Sequence, residues 1–104
     1  MSKRLLYLEK LVAEGKADSF ARYCYALELK GLDRIDDALA AFDGLREADP
    51  AYVPMYLMCG TMLLDAERFE AARGWLEQGL RVASAAGDMK AQSEIKDALA
   101  RCAS

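Results

Sequence analysis

Residues 33–42 read DRIDDALAAF, and residues 67–76 read ERFEAARGWL. The two stretches begin 34 residues apart and correspond in character: Asp33-Arg34 with Glu67-Arg68, Ile35 with Phe69, Ala38 with Ala72, Phe42 with Leu76. Leu29 and Leu63 carry the same offset backwards. Apolar residues three or four apart mark one face of a helix. A period of this length describes a two-helix unit that cannot bury its apolar face alone and stacks on a neighbour.

Outward from this repeat, the rest of the chain also reads as helix. Leu5, Leu8, Leu11 and Val12 form a stripe ended by Gly15. A second helix opens after Asp18 or Ser19 as N-cap and stops at Gly31. Asp33 is expected to cap the third, with Ile35, Ala38, Leu39, Phe42 and Leu45 as its stripe and Pro50 just past its end. Pro54 suits the first turn of a fourth helix, running to about Asp65. The fifth carries Phe69, Ala72, Leu76 and Leu80 towards Gly87, and Asp88 caps a last one with Ala91, Ile95, Ala98, Leu99 and Cys102 on one side. Gly44, Gly74 and Gly79 fall inside helices, where each costs about 1 kcal/mol relative to Ala, so some should mark close helix contacts. Short links imply antiparallel neighbours. The expectation is an all-α chain, an α-α superhelix of about six antiparallel helices.

At these positions the sequence resembles the tetratricopeptide repeat family, whose pattern is an aromatic, Leu-Gly and Tyr on the first helix, then Ala, Phe and a closing Pro on the second. In the second unit Tyr56 takes the aromatic slot, Cys59-Gly60 the Leu-Gly pair and Leu63 the Tyr slot, followed by Ala72 and Leu76. In the first unit Ala38, Phe42 and Pro50 match, while Ala26 stands for Gly and Leu29 for Tyr. Two departures matter: Arg22 occupies an aromatic slot, and Ser84 replaces the closing Pro. The resemblance implies a single domain over 1–104, with an N-terminal half-repeat helix (3–15), repeat one (19–52), repeat two (53–86) and a C-terminal capping helix (88–103).

Composition narrows the chemistry. The 104 residues include 54% hydrophobic and 30% charged side chains, a mixture that folds. With net charge −3 the chain lacks the basic footprint that nucleic acid or anionic lipid demands. It holds no His and no Asn, so no Ser-His or Cys-His pair can form and the commonest zinc ligand is missing. Cys24, Cys59 and Cys102 are scattered and odd in number, which argues for apolar fillers in a reducing compartment. Glu9 and Lys10 interrupt the apolar start, leaving no signal-peptide core and a cytoplasmic expectation. The acids Asp36, Asp37, Asp43, Glu47 and Asp49 read as the solvated face of the third helix. The reading is a non-enzymatic protein with no metal or cofactor, binding neither nucleic acid nor membrane.

In the family, ligands usually lie on a concave surface lined by the first helices. Here the fourth helix has no charge from Val53 to Leu64, and the second is nearly as apolar. Tyr25, Ala26, Leu29, Cys59, Gly60 and Leu63 are expected to pack the units. Phe20, Tyr23, Leu27, Leu57, Met58, Thr61 and Leu64, with the cation Lys30, remain for an apolar groove. That groove is expected to hold a peptide or a partner helix, as in an adaptor or scaffold. The alternatives are a second copy of the chain in a homodimer, or the client of a small secretion chaperone. Tyr23, Leu27 and Met58 occupy slots where some family members place the Lys and Asn of a carboxylate clamp, so that mode is not expected.

Overall fold

In the computed structural model, which describes residues 2–102, all regular structure among those residues is helical. The helices are α1 (Lys3–Ala13), α2 (Ser19–Gly31), α3 (Ile35–Ala48), α4 (Val53–Asp65), α5 (Phe69–Ala85) and α6 (Met89–Cys102). Residue 103 of the expected capping helix lies outside the described residues. The chain divides into two compact units, one ending at Asp49 and the other starting at Pro50.

Three helices start on side-chain caps, two of them (Asp18 and Asp88) expected from the sequence. The side chains of Ser2, Asp18 and Asp88 accept hydrogen bonds from the backbone N–H of Leu5, Ala21 and Ala91 at 3.1, 2.8 and 3.0 Å. Each satisfies an amide with no partner inside its helix.

The turns that follow α1, α2, α4 and α5 share one geometry. A residue with positive φ follows the helix, at Gly15 (68°), Asp33 (59°), Glu67 (61°) and Gly87 (69°). The next amide then closes onto a carbonyl five residues back, as in Arg34 N–H to Leu29 O (3.0 Å) and Arg68 N–H to Leu63 O (2.8 Å). This 6→1 closure, paired with a 5→2 bond, is the Schellman motif. Asp33 is therefore not the cap of α3. It occupies the left-handed position that ends α2, and the N-cap position falls to Arg34, whose side chain makes no capping bond. Helix α2 stops at Gly31 as expected, but the left-handed residue that closes its turn is Asp33, two positions later.

In the N-terminal unit α1 packs on α2, and α2 and α3 form a hairpin. Its buried residues are Leu5, Leu8, Ala26, Leu29, Ala38, Phe42 and Leu45. Leu11, Val12 and Tyr25 are only half-buried. Ser19 donates to Asp49 Oδ2 at 2.7 Å, tying the start of α2 to the end of α3.

The C-terminal unit is filled more completely. Helix α4 packs on α5, and α6 packs on both. Seven residues of α4 are buried, among them Tyr56, Cys59, Gly60 and Leu63. The buried line of α5 runs through Ala72, Trp75, Leu76, Gly79 and Ala83, and α6 adds Ile95, Ala98 and Cys102. This corrects the expected stripe of α5: Phe69 is 46% exposed and Leu80 half-buried. A long helix lying between α4 and α6 buries an arc around Trp75 and Gly79 as well as a narrow stripe. The rings of Tyr56 and Trp75 sit 6.0 Å apart at a 50° tilt, an arrangement suited to aromatic quadrupoles.

Glycine sets the approach at two places. A Cβ at Gly79 would lie 2.4 Å from Tyr56 Cβ, and one at Gly60 would lie 2.5 Å from Leu76 Cγ. No side chain fits there without displacement. Gly79 is thus one of the expected close contacts, whereas a Cβ at Gly74 would meet nothing within 4 Å.

Candidate binding surfaces

Each unit presents its own candidate surface. In the C-terminal unit α4 contributes Leu57, Met58 and Thr61, and α6 contributes Glu94, Asp97, Ala98 and Arg101, around a hollow of about 320 Å³. The floor is apolar because α4 carries no charge before Asp65. Thr61 adds to it: its hydroxyl lies 2.9 and 3.2 Å from the carbonyls of Leu57 and Met58, within its own helix. That leaves its methyl group for contact. Arg101 is held to Asp65 at 3.0 Å and Lys90 lies 3.9 Å from Glu94, so the charges on the wall are partly balanced.

The α6 wall went unread in the sequence, where the last helix served only as a cap. Its signal was present: Glu94, Asp97 and Arg101 recur three and four residues apart, beside the buried line of Ile95, Ala98 and Cys102.

The remaining residues singled out for a groove are distributed as follows. Leu64 is 4% exposed and belongs to the packed interior of its unit. Phe20 is 65% exposed on the first turn of α2. Tyr23, Leu27 and Lys30 are half-buried along the same helix. These four lie on the N-terminal unit, whereas Leu57, Met58, Thr61 and Leu64 lie on the C-terminal one.

The N-terminal unit holds a second, half-open hollow, of about 380 Å³, bordered by its three helices. Glu9 and Val12 border it from α1, Arg22 and Tyr25 from α2, and Ala40, Ala41 and Gly44 from α3, with Arg34 and Asp37 at the start of α3. Arg34 Nε donates to Asp37 Oδ2 at 2.9 Å, so that pair is neutral as a unit. Burial pushes the Tyr25 phenol above its ordinary pKa; the carboxylates of Glu9 and Asp37 add to the rise, and the Arg34 guanidinium opposes it. Tyr25 is therefore a neutral O–H donor at neutral pH. The sequence marked Arg22 as a misfit in an aromatic slot but gave no sign of a hollow beside it.

The acids of α3 face outwards. Asp36, Asp37, Asp43 and Glu47 are exposed, and Asp43 pairs with Arg46 at 2.9 Å. Exposed pairs of this kind contribute about 0–1 kcal/mol. Cys59 and Cys102 are buried and Cys24 half-buried, all as free thiols. Among the described residues no group of three His, Cys, Asp or Glu could hold a metal ion, and no helix is long and apolar enough to cross a membrane.

Two helical hairpins repeated at a 34-residue period define a helical-repeat protein, and proteins of known structure name the family. A tetratricopeptide repeat domain protein from Salinibacter ruber, solved in solution and as a crystal, is 36% identical, with TM-scores of 0.75 and 0.74. The solution alignment covers 82% of this chain and 86% of that one, and the crystal alignment 83% and 96%. A protein from Bordetella parapertussis, solved in solution, is 25% identical over 99% of this chain and 90% of its own, with a TM-score of 0.82. No family profile and no curated protein sequence matches the chain. The chain belongs to the tetratricopeptide repeat family. Repeats of this kind serve in general as protein-interaction modules.

Proposed function

We propose that this chain acts without catalysis, as an adaptor that binds a partner polypeptide, and that the hollow between α4 and α6 receives an apolar side chain from a basic segment of that partner. The supporting observation is the chemistry of the hollow. Leu57, Met58 and Ala98 supply an apolar floor beside the carboxylates of Glu94 and Asp97, and Arg101 is already tied to Asp65. An apolar anchor seated in a pocket supplies affinity, while charges around it supply selection and rate. Phe20, Tyr23, Leu27 and Lys30 on α2 form the second part of the proposed contact, on their own unit.

The test uses an amphipathic helical peptide of Leu and Lys, beside a counterpart in which Glu replaces Lys. The Lys peptide is expected to bind and the Glu peptide to bind at least about tenfold more weakly, as expected for like charges placed together. Leu57→Arg should abolish binding of the Lys peptide and leave the helical circular-dichroism signal and the unfolding midpoint unchanged. Asp97→Lys should reduce both affinity and its salt dependence. Equal binding of the two peptides, or full binding by Leu57→Arg, overturns the reading. Light scattering that shows a concentration-dependent dimer, lost in Leu57→Arg, would replace the partner with a second copy of the chain.

A further inference from the structure

The hollow of the N-terminal unit shares no lining residue with the proposed peptide contact, and its position in the repeat says what would fit. In the C-terminal unit the interior beside α4 is filled by the rings of Tyr56 and Trp75. Thirty-four residues earlier those two positions hold Arg22 and Ala41, and both border the hollow of about 380 Å³. The repeat thus leaves open, in one unit, space of the kind its other unit fills with aromatic rings. The volume falls at the lower end of the range for small-molecule pockets, about 300–1,000 Å³.

The charges narrow the ligand further. Among the described residues the Arg22 side chain makes no hydrogen bond and no ion pair, and the Tyr25 hydroxyl makes no hydrogen bond. Arg22 lies near α3 where Gly44 has no side chain, with its Nη1 3.6 Å from where a Cβ would be. Arg34 is already paired with Asp37, which leaves Arg22 and Glu9 as the unbalanced charges of the lining. A guanidinium without a partner presents a planar fork of donors that matches a carboxylate. The Glu9 carboxylate would repel a dianion such as a phosphate monoester more strongly than a singly charged group.

We propose that this hollow binds a small aromatic monocarboxylate, with its ring beside Tyr25, Val12 and Ala41 and its carboxylate on the guanidinium of Arg22. Val12, Ala40 and Ala41 supply the apolar wall, and the Tyr25 hydroxyl is a second donor close by.

Phenylacetate is the probe, followed by amide chemical-shift titration of the full chain. Phenylacetamide serves as its neutral isostere and phenethylamine as its cationic counterpart. Saturable shifts at Glu9, Val12, Arg22, Tyr25, Ala41 and Gly44 are expected for the acid. The amide should bind about tenfold more weakly, the scale of one charge-assisted hydrogen bond, and the amine not at all. Arg22→Gln should give the acid and the amide equal affinity. Gly44→Leu, which fills the hollow from α3 beside the Arg22 guanidinium, should abolish binding of both with the helical signal intact. Equal binding of acid and amide to the wild type, preference for the amine, or unchanged affinity in Gly44→Leu overturns the proposal. Absence of saturable shifts does so as well. If Arg22→Gln does not fold, the acid–amide comparison on the wild type decides alone.

Discussion

The two helical hairpins descend from one pattern, and they differ most where that pattern calls for an aromatic residue. In α4 the position is Tyr56, fully buried, resting on Gly79 and tilted against Trp75. In α2 it is Arg22, half-buried, and the positions corresponding to Gly79 and Trp75 hold Leu45 and Ala41. The exchange is coordinated. A large ring over a glycine in one unit becomes a long flexible side chain in the other, where the position of that glycine holds the fully buried Leu45. Both arrangements support the same turns and the same hairpin. The lesson is that the hairpin needs small residues where helices cross (Ala26 and Ala38, Gly60 and Ala72) and tolerates great variation next to them. That variation is where one unit becomes a filled core and the other keeps a cavity.

The sharpest way to break the comparison is to empty the filled side. Trp75 is 5% exposed, and its removal takes away the ring that lies 6.0 Å from that of Tyr56. Trp75→Ala should cost about 3–5 kcal/mol, as for large-to-small changes that leave a cavity. Domains are stable by only about 5–15 kcal/mol, so the midpoint of urea unfolding should fall steeply. The converse change, Ala41→Leu, fills existing space and should add about 0.5–2 kcal/mol. A Trp75→Ala protein with the wild-type midpoint would show that the aromatic pair is not part of the core.

Glycines offer a second, smaller contrast. Gly44 and Gly79 both sit inside helices, and replacing glycine with alanine in such a position usually stabilises by about 1 kcal/mol. At Gly44 the nearest atom to a new Cβ is Arg22 Nη1 at 3.6 Å, the mobile end of a long side chain. Gly44→Ala should therefore stabilise by about 0.5–1 kcal/mol. At Gly79 the new Cβ meets the Tyr56 Cβ at 2.4 Å, which cannot swing aside without moving the ring. Gly79→Ala should destabilise by about 1–3 kcal/mol. Opposite signs in thermal unfolding are the expected result. The same sign for both would mean that the close approach of α4 and α5 relaxes freely.

Much of this fold was legible because helical repeats state their geometry twice. The offset linking Ala38 with Ala72 and Phe42 with Leu76 located both hairpins, and Asp18 and Asp88 were recognisable caps. Asp33 was misread for a physical reason. An acid just before an apolar helical run is a strong N-cap signal, and nothing in its identity distinguishes a cap from the left-handed residue that closes the previous helix. The arc of α5 was missed because Trp75 and Gly79 fall outside a narrow stripe, and only the approach of α6 makes them interior. The N-terminal hollow was beyond reach of the sequence, since a void is the difference between three helix faces and the volumes that fill them. Arg22 could be marked as unusual, but Gly44 and Ala41 are ordinary residues until they face it.

The turns supply the finest contrast and the smallest expected effect. Four helix ends use a left-handed residue, two with glycine (Gly15, Gly87) and two with an acid (Asp33, Glu67). For a residue with a Cβ that conformation costs about 1–2 kcal/mol, and Asp tolerates it better than Glu because its short side chain can bond locally. Among the described residues neither Asp33 nor Glu67 makes a side-chain hydrogen bond or ion pair, so glycine would remove no contact. Glycine relieves the strain but enlarges the conformational freedom of the unfolded chain, which offsets part of the gain. Glu67→Gly should stabilise by about 0.5–1 kcal/mol and Asp33→Gly by less, read as shifts in the urea midpoint at constant slope. If Asp33→Gly gains as much as Glu67→Gly, the aspartate has no special tolerance for this turn. Should Glu67→Gly instead lose stability, the conformational freedom added to the unfolded chain would exceed the strain released, and the second hairpin would hold its turn by helix packing alone.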